Sequence, residues 1–80
     1  MLTAYIAAAM AQAAYKILED GSYFGEVPGL QGVWADGATL EECRRVLQEV
    51  IEEWLLLKVG DGDDIPEIGG IKLAQKSAAA

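Results

Sequence analysis

One long amphipathic helix constrains the fold of this chain more than any other feature. From Leu40 to Leu57, apolar residues recur at helical spacing and polar residues fill the positions between them. The apolar side consists of Leu40, Cys43, Leu47, Val50, Trp54 and Leu57, widened by Val46, Ile51 and Leu55. The opposite side consists of Glu41, Arg44, Arg45, Gln48, Glu49, Glu52 and Glu53. Thr39 is the predicted N-cap, and Glu42 is placed to complete a capping box. A helix with so broad an apolar side must pack on a flat surface, which a β-sheet would supply.

The segments before this helix have the composition of short strands separated by turns. The predicted strands are residues 15–19, 22–27 and 32–35. Asp20-Gly21 is a strong hairpin signal between the first two, and Pro28-Gly29 ends the second. Asp36-Gly37 is the predicted turn after the third strand. Three antiparallel strands in a meander, with the long helix across one face, make this an α+β protein.

The two ends of the chain complete the predicted architecture. Residues 2–14 are rich in alanine and carry no charge, which indicates a helix of about three turns. Its predicted cap is Thr3, and its predicted apolar face is Leu2, Ile6, Met10 and Ala13. This helix is too short to span a bilayer, so we expect it to pack on the domain or on a second copy.

The residues after the long helix indicate a loop and one more strand. Glycine and aspartate at residues 60–64 predict the loop, and residues 71–73 are a short fourth strand that joins the sheet in parallel. We expect a single domain over residues 1–80. It comprises the N-terminal helix at 1–14, a core at 15–74 and a loose tail at 75–80.

Charge and residue usage narrow the possible functions. Six basic and thirteen acidic residues give a net charge of -7, which disfavours a nucleic-acid surface and favours a basic protein partner. The chain has no histidine, the commonest general base and zinc ligand, and its single cysteine cannot form an internal disulfide. We therefore expect a cytoplasmic protein without catalytic residues, cofactor or metal. An apolar fraction of 52% in 80 residues leaves surface for assembly, so a homo-oligomer is expected.

Two candidate chemical sites have plainer explanations. Asp61, Asp63, Asp64 and Glu67 could bind calcium or magnesium, but they lack the order of an EF-hand loop and fit a solvated turn better. Cys43 could be a thiol activated by the helix N-terminus, but it lies on the apolar side of the helix and fits the core better.

The residues predicted to bind a partner are one aromatic side chain and a cluster of acids. Tyr23 and Phe24 point to opposite faces of one strand, so one of them faces solvent or a partner. Glu41 and Arg45 are spaced to pair along the helix, whereas Glu49 and Glu53 repel at the same spacing. We predict that Tyr23, Glu49, Glu52 and Glu53 bind the partner; a merely solvated helix face is the plainer alternative.

The region from the hairpin to the long helix resembles the HicB-like antitoxin family. The shared pattern is a D-G hairpin, an aromatic strand residue, P-x-L-x-G, a short strand, G-x-T and an E-E pair that opens the helix. It falls on Asp20-Gly21, Tyr23, Pro28, Leu30, Gly32, Gly37, Thr39, Glu41 and Glu42. The pattern covers nearly half of the chain.

The resemblance implies a partial ribonuclease-H-like fold without nuclease activity. Members of that family bind a small basic toxin (HicA-like) that cleaves mRNA, and they neutralise it by covering its surface. Many members also carry a C-terminal DNA-binding module, which we do not expect in this chain, so direct nucleic-acid binding is not expected either.

Two other functions are open on the sequence alone. The chain could be a stand-alone homo-oligomeric domain whose partner is another protein or a small ligand. A metal-dependent enzyme is disfavoured, because its carboxylates would have to converge on one site. The candidates for that role, mostly at strand ends or in turns, are Glu19, Asp20, Glu26 and Asp36.

Overall fold

The computed structural model describes residues 2–62 and 65–70, and its elements follow the predicted order. They are α1 (Leu2–Gln12), β1 (Ala14–Ile17), β2 (Tyr23–Glu26), β3 (Trp34–Gly37) and α2 (Leu40–Asp61). The predicted α+β architecture of a helix, an antiparallel meander and a long helix is confirmed. The predicted fourth strand at residues 71–73 and tail at 75–80 lie outside the described residues, as do Asp63 and Asp64.

The three strands form one sheet in the order β1-β2-β3, with both pairs antiparallel. Residues that pair across strands project to the same face, and successive residues alternate between faces. The face that packs against α2 carries Tyr15, Tyr23, Gly25, Ala35 and Gly37. The other face, which we call the open sheet face, carries Lys16, Phe24, Glu26, Trp34 and Asp36. Tyr23 and Phe24 therefore point to opposite faces, as predicted.

The first hairpin has a wider loop than the predicted two-residue turn. Its closing hydrogen bond runs from the Leu18 N–H to the Ser22 carbonyl at 2.8 Å. Inside the loop, Asp20 Oδ1 accepts hydrogen bonds from the backbone N–H of Ser22 at 2.9 Å and from its hydroxyl at 2.6 Å. These bonds replace ladder pairing at residues 18 and 19, so β1 ends at Ile17 rather than at residue 19.

Two successive tight turns connect β2 to β3 and shift the third strand along the sequence. The Leu30 N–H bonds to the Val27 carbonyl at 3.0 Å, and the Val33 N–H bonds to the Leu30 carbonyl at 3.2 Å. Gly29 and Gly32 have φ of 94° and 83°, the left-handed conformation that the third residue of such turns needs. Because Gly32 belongs to a turn, the third strand begins at Trp34 instead of residue 32.

The predicted turn at Asp36-Gly37 is wrong, since both residues end β3. They pair with Phe24 and Tyr23 of β2. Glycine at 37 also has a packing role, because a Cβ there would lie 2.7 Å from the backbone nitrogen of Cys43. Pairing and the close approach of α2, rather than turn chemistry, account for the two residues.

Helix α2 begins as predicted and ends later than predicted. The hydroxyl of Thr39 accepts a hydrogen bond from the Glu42 N–H at 3.1 Å. The return bond of a capping box goes to Glu42 Oε1 from the Ala38 N–H at 2.7 Å, one residue before the N-cap. The helix continues to Asp61, where Gly62 (φ 73°) donates its N–H to the carbonyls of Lys58 and Val59. Gly60 and Asp61, which were predicted to open the loop, therefore belong to the helix.

The core lies between α2 and the sheet. Its helix side is the buried row Cys43, Leu47, Ile51 and Leu55, spaced four residues apart. Val50 and Trp54 flank this row and are half-buried, whereas Leu40 and Leu57, predicted on the apolar side, are exposed. The charged side of α2 faces solvent, as predicted.

Helix α1 packs on α2 and contributes a different face from the predicted one. Tyr5 and Ala9 are fully buried, whereas Ile6 and Met10 are half-buried beside them. The Tyr5 hydroxyl donates a hydrogen bond of 2.5 Å to the carbonyl of Pro66. This bond ties α1 to the segment that follows α2.

Candidate protein-binding surfaces

The open sheet face presents two large aromatic side chains that no described element covers. Both helices lie on the other side, because α2 packs on β2 and β3 and α1 packs on α2. The rings of Phe24 and Trp34 stack with centroids 5.9 Å apart and an angle of 23° between their planes. Trp34 is 54% exposed. Exposed aromatic residues of this kind are common anchors of protein interfaces.

Charged residues on the open sheet face surround this aromatic pair through cross-strand pairing. Glu26 pairs directly with Trp34, and Asp36 pairs directly with Phe24. Lys16, on the far side of β2, places its Nζ 5.2 Å from the centroid of the Phe24 ring. Among the described residues, the β2–β3 side of the face is therefore acidic, and the cation Lys16 lies at the β1 edge.

A shallow groove extends this face toward the double turn. Its volume is about 430 Å³, and it lies between the aromatic pair and residues 26–33. Leu30 and Val33 are buried beneath it, whereas Pro28 and Gln31 are exposed. The groove gives the open sheet face a recess beside its aromatic platform.

The predicted partner-binding residues lie on two other parts of the molecule. Tyr23 is half-buried on the face of the sheet toward α2, where it pairs with Ile17 and Gly37. Glu49, Glu52 and Glu53 are exposed on the outer side of α2. Gly37, the pairing partner of Tyr23, lies against the first turn of α2. Glu49 lies about 14 Å along the helix axis from its first residue, at a rise of 1.5 Å per residue. The structure does not bring Tyr23 and these acids together, and their role stays a prediction.

The acids of α2 are partly engaged with their own helix. Arg45 Nη1 lies 3.3 Å from Glu49 Oε2, so Arg45 pairs with Glu49 instead of with the predicted Glu41. Gln48 Nε2 donates to Glu52 Oε2 at 3.2 Å. Exposed pairs of this kind contribute only a few tenths of a kcal/mol, but they relieve the repulsion within the acidic cluster.

The C-terminal part of α2 carries an exposed apolar patch, which we call the α2 tip. It consists of Leu56 (68% exposed), Leu57 (67% exposed) and Val59, which is also exposed. The neighbouring Trp54 is half-buried and carries Lys58 Nζ 5.6 Å from its ring centroid. Two leucines this exposed on one helix end are a candidate contact for another molecule.

A groove of about 590 Å³ runs between α1 and α2. Its lining includes the apolar side chains of Ile6 and Met10 and, on the α2 side, the polar side chains of Arg44 and Gln48. The Tyr15 hydroxyl, also in this region, is buried and has no hydrogen-bond partner among the described residues. The groove thus offers apolar contact and one cation, without a cluster of titratable groups.

The titratable groups with shifted pKa values fit structural roles. Burial raises the pKa of the Cys43 thiol, with a further contribution from the nearby Asp36 carboxylate, and the thiol lies 3.7 Å from the Ala35 carbonyl. Burial also raises the pKa of the Tyr5 hydroxyl. The hydroxyl and N–H of Ser22 lower the pKa of Asp20. A buried thiol held in its neutral form is a poor nucleophile, as the core interpretation of Cys43 predicts.

The carboxylates considered for metal chemistry are spread over the molecule. Glu19 and Asp20 lie in the first hairpin loop, whereas Glu26 and Asp36 lie on the open sheet face. Over residues 2–62 and 65–70, no three potential ligands come together in a group that could hold a metal ion. Within the same residues, neither helix is both long and apolar enough to cross a membrane.

Sequence reasoning missed the residues of the open sheet face. From the sequence, Phe24 is only one of two candidates to face a partner, Glu26 and Asp36 are candidates only as metal ligands, and Trp34 has no predicted role. The signal that could have found them is alternation: with β3 placed at Trp34–Gly37, Trp34 and Asp36 share a face.

Known proteins are similar to this chain in sequence and in fold. A segment of 34 residues, 42% of this chain, is 47% identical to the UPF0150 protein ssr1258 of Synechocystis and spans about half (49%) of that relative. The crystal structure of TTHA0281 from Thermus thermophilus is similar, with 42% identity, 91% of each chain covered and a TM-score of 0.86. Residues 4–66, well over half of the chain, match the description "UPF0150-like". This chain therefore belongs to the UPF0150-like family.

Proposed function

We propose that this chain is a non-enzymatic protein-binding module of the HicB-like antitoxin type. In this proposal it neutralises a small basic mRNA-cleaving toxin in the cytoplasm by covering the surface of that toxin. The order of the hairpin, double turn and capped helix supports the HicB-like part of the proposal. The surface of the chain supports the part that concerns the partner.

The observation that carries the proposal is the acidity of both sides of the molecule. Glu26 and Asp36 are exposed on the open sheet face, and Glu49, Glu52 and Glu53 are exposed on α2, in a chain of net charge -7. A toxin that binds RNA must present a basic surface to the phosphates. An acidic protein attracts that surface at a distance, accelerates the encounter and competes with RNA for the same charges.

Co-expression tests this function directly. The small basic protein encoded by the adjacent reading frame is produced in a bacterial host with and without this chain. We expect the basic protein alone to arrest growth, and the chain to restore growth and to co-purify with it. Because charge contributes to the encounter, the complex should weaken as the salt concentration rises.

A charge-reversal variant tests the predicted partner-binding acids. It carries Glu49→Lys, Glu52→Lys and Glu53→Lys, which leave the core side chains unchanged. We expect slower association and weaker rescue from this variant. If the wild-type chain is present in soluble form but neither binds the basic protein nor restores growth, the antitoxin function is wrong.

The second candidate function is a stand-alone homo-oligomeric domain with another protein or a small ligand as its partner. The exposed α2 tip favours it, because fully burying one leucine contributes about 1.5–3 kcal/mol to association. Light scattering at micromolar concentration should then give a multiple of the chain mass, and Leu56→Glu with Leu57→Glu should lower it. A monomer in both cases, together with growth rescue, would leave only the first function.

A further inference from the structure

We infer that the open sheet face is the surface on which a basic protein partner docks. An arginine side chain of the partner would lie on the exposed ring of Trp34, between the carboxylates of Glu26 and Asp36. The inference rests on the proposed function for the basic character of the partner. It adds the surface that the partner covers and the chemistry of the central contact.

The geometry around Trp34 fits a guanidinium group. Glu26 is directly opposite Trp34 on the neighbouring strand, and Asp36 is two residues further along β3 on the same face. Strand spacing puts the first about 5 Å and the second about 7 Å from Trp34, measured between Cα atoms. A guanidinium plane stacks on an indole ring while its edge donates hydrogen bonds to carboxylates. Trp34 and its two acidic neighbours therefore offer both kinds of contact at once.

The chain itself already places cations over two of its other aromatic rings. Lys16 Nζ lies 5.2 Å from the Phe24 centroid, and Lys58 Nζ lies 5.6 Å from the Trp54 centroid. In the part of the chain that the structure describes, no lysine or arginine lies over the ring of Trp34. Trp34 is also the most exposed aromatic anchor on the acidic side of the sheet, so a cation from another molecule completes the pattern.

The outer side of α2 is the competing surface, and it fits a central contact less well. Glu49 and Glu52 already accept from Arg45 and Gln48, and the outer side of the helix carries no aromatic residue. The contacts that dominate binding free energies are enriched in tryptophan, tyrosine and arginine, whereas exposed charges mainly set association rates. The two surfaces lie on opposite sides of a two-layer structure, so one small partner cannot cover both. The acids of α2 then act only at a distance.

A hexa-arginine peptide tests this assignment without requiring the toxin. The full chain, labelled with ¹⁵N, is titrated at about 0.15 M salt so that long-range attraction is screened. The two tryptophan indole N–H signals report on the two sides of the molecule. We expect the Trp34 signal and the amides of β2 and β3 to shift, whereas the Trp54 signal stays in place.

Two double variants with equal charge provide the matched comparison. Glu26→Gln with Asp36→Asn and Glu52→Gln with Glu53→Gln each remove two negative charges, one pair from each surface. We expect the first to raise the peptide Kd about fivefold or more and the second less than about twofold. Trp34→Ala should raise Kd about tenfold, with an unchanged circular dichroism spectrum as the check on folding.

Several outcomes would overturn the inference. The largest shifts could fall on α2, or the two double variants could weaken binding equally. Trp34→Ala could also convert a dimeric chain to a monomer, in which case a second copy is the occupant of the face. The proposed function is tested separately. If the peptide binds the open sheet face while co-expression gives neither binding nor rescue, the docking surface is supported and the antitoxin function is wrong. If the wild-type chain co-purifies with the basic protein and only the Glu52→Gln, Glu53→Gln variant does not, the function is supported and the docking surface is wrong.

Discussion

The two faces of the sheet differ in the size of the side chains that β2 and β3 carry toward α2 and away from it. The face covered by α2 carries Gly25, Ala35 and Gly37 on β2 and β3, with Tyr15 and Tyr23 beside them, whereas the uncovered face carries Phe24 and Trp34. Large aromatic side chains normally belong to the core, since they bury the most apolar area. Here β2 and β3 leave space that the α2 side chains Leu47, Ile51 and Leu55 fill.

The small residues make room for α2 and for the neighbouring Tyr15 ring. A Cβ at Gly25 would lie 2.8 Å from the Tyr15 ring and 3.2 Å from the Cys43 sulfur, and one at Gly37 would lie 2.7 Å from the Cys43 nitrogen. At such distances positions 25 and 37 cannot carry larger side chains. The aromatic residues of the open sheet face therefore contribute little to the core, and we expect the two faces to respond differently to substitution.

The largest loss of stability is expected on the covered side. Leu47 is fully buried at the centre of the α2 row, so Leu47→Ala should leave a cavity and lower the free energy of unfolding by about 3–5 kcal/mol. Leu57→Ala, on the same helix but 67% exposed, is the control and should change it by less than about 0.5 kcal/mol. Urea denaturation of both variants measures the difference. Equal losses would mean that the helix is not oriented as described.

The contact between Gly37 and α2 gives the next largest effect. Gly37→Ala places a methyl group against backbone atoms that cannot rotate away, so the start of α2 must shift, at a cost of about 1–3 kcal/mol. Gly60→Ala is the control, because a Cβ at that helical position meets nothing within 4 Å. That control should be neutral or stabilising by up to about 1 kcal/mol. A stabilising Gly37→Ala would contradict the close approach.

Much of the covered side could be predicted from the sequence, because it depends on periodicity and local signals. The row centred on Leu47, the Thr39 cap and the order of the strands all follow from spacing and from residue types with fixed local roles. Residues of the HicB-like pattern also have structural roles. Gly32 has the positive φ that its turn requires, and Gly37 has no side chain that would clash with α2. That pattern describes how the chain folds and leaves the binding surface unspecified.

The remaining errors come from interactions between distant parts of the chain. Asp36-Gly37 has turn composition but pairs with β2, since ladder pairing and packing override local preference. The buried face of α1 could not be identified by periodicity, because nearly every position of that helix is apolar. Tyr5 is buried there through its contact with Pro66, a residue 61 positions away.

The burial of Tyr5 predicts that the free energy of unfolding depends on pH. Burial raises the pKa of its hydroxyl, so above the ordinary tyrosine pKa of about 10 the unfolded chain loses a proton that the folded chain keeps. The stabilising effect is complete below that pH and is lost as the pH rises from there through the raised pKa of the folded chain, by at most about 1.4 kcal/mol per pH unit for one proton. Tyr5→Phe should cost about 1 kcal/mol at neutral pH, from the lost hydrogen bond to Pro66. Its unfolding free energy should fall less steeply than that of the wild type between about pH 9 and 11. Parallel profiles for the two proteins would exclude Tyr5 as a source of the dependence.

The smallest effect on stability is expected from the largest side chain of the open sheet face. Trp34→Ala removes a stacking partner of Phe24 but leaves the core side chains as buried as before, so it should lower the unfolding free energy by no more than about 1 kcal/mol. Trp54→Ala is the control, and it should cost at least about 2 kcal/mol because Trp54 packs against the core. Thermal unfolding with circular dichroism measures both variants. A tryptophan that is nearly dispensable for folding but required for holding a cationic partner would have been kept for binding; a Trp34→Ala variant as unstable as Trp54→Ala would instead make the open sheet face a part of the core.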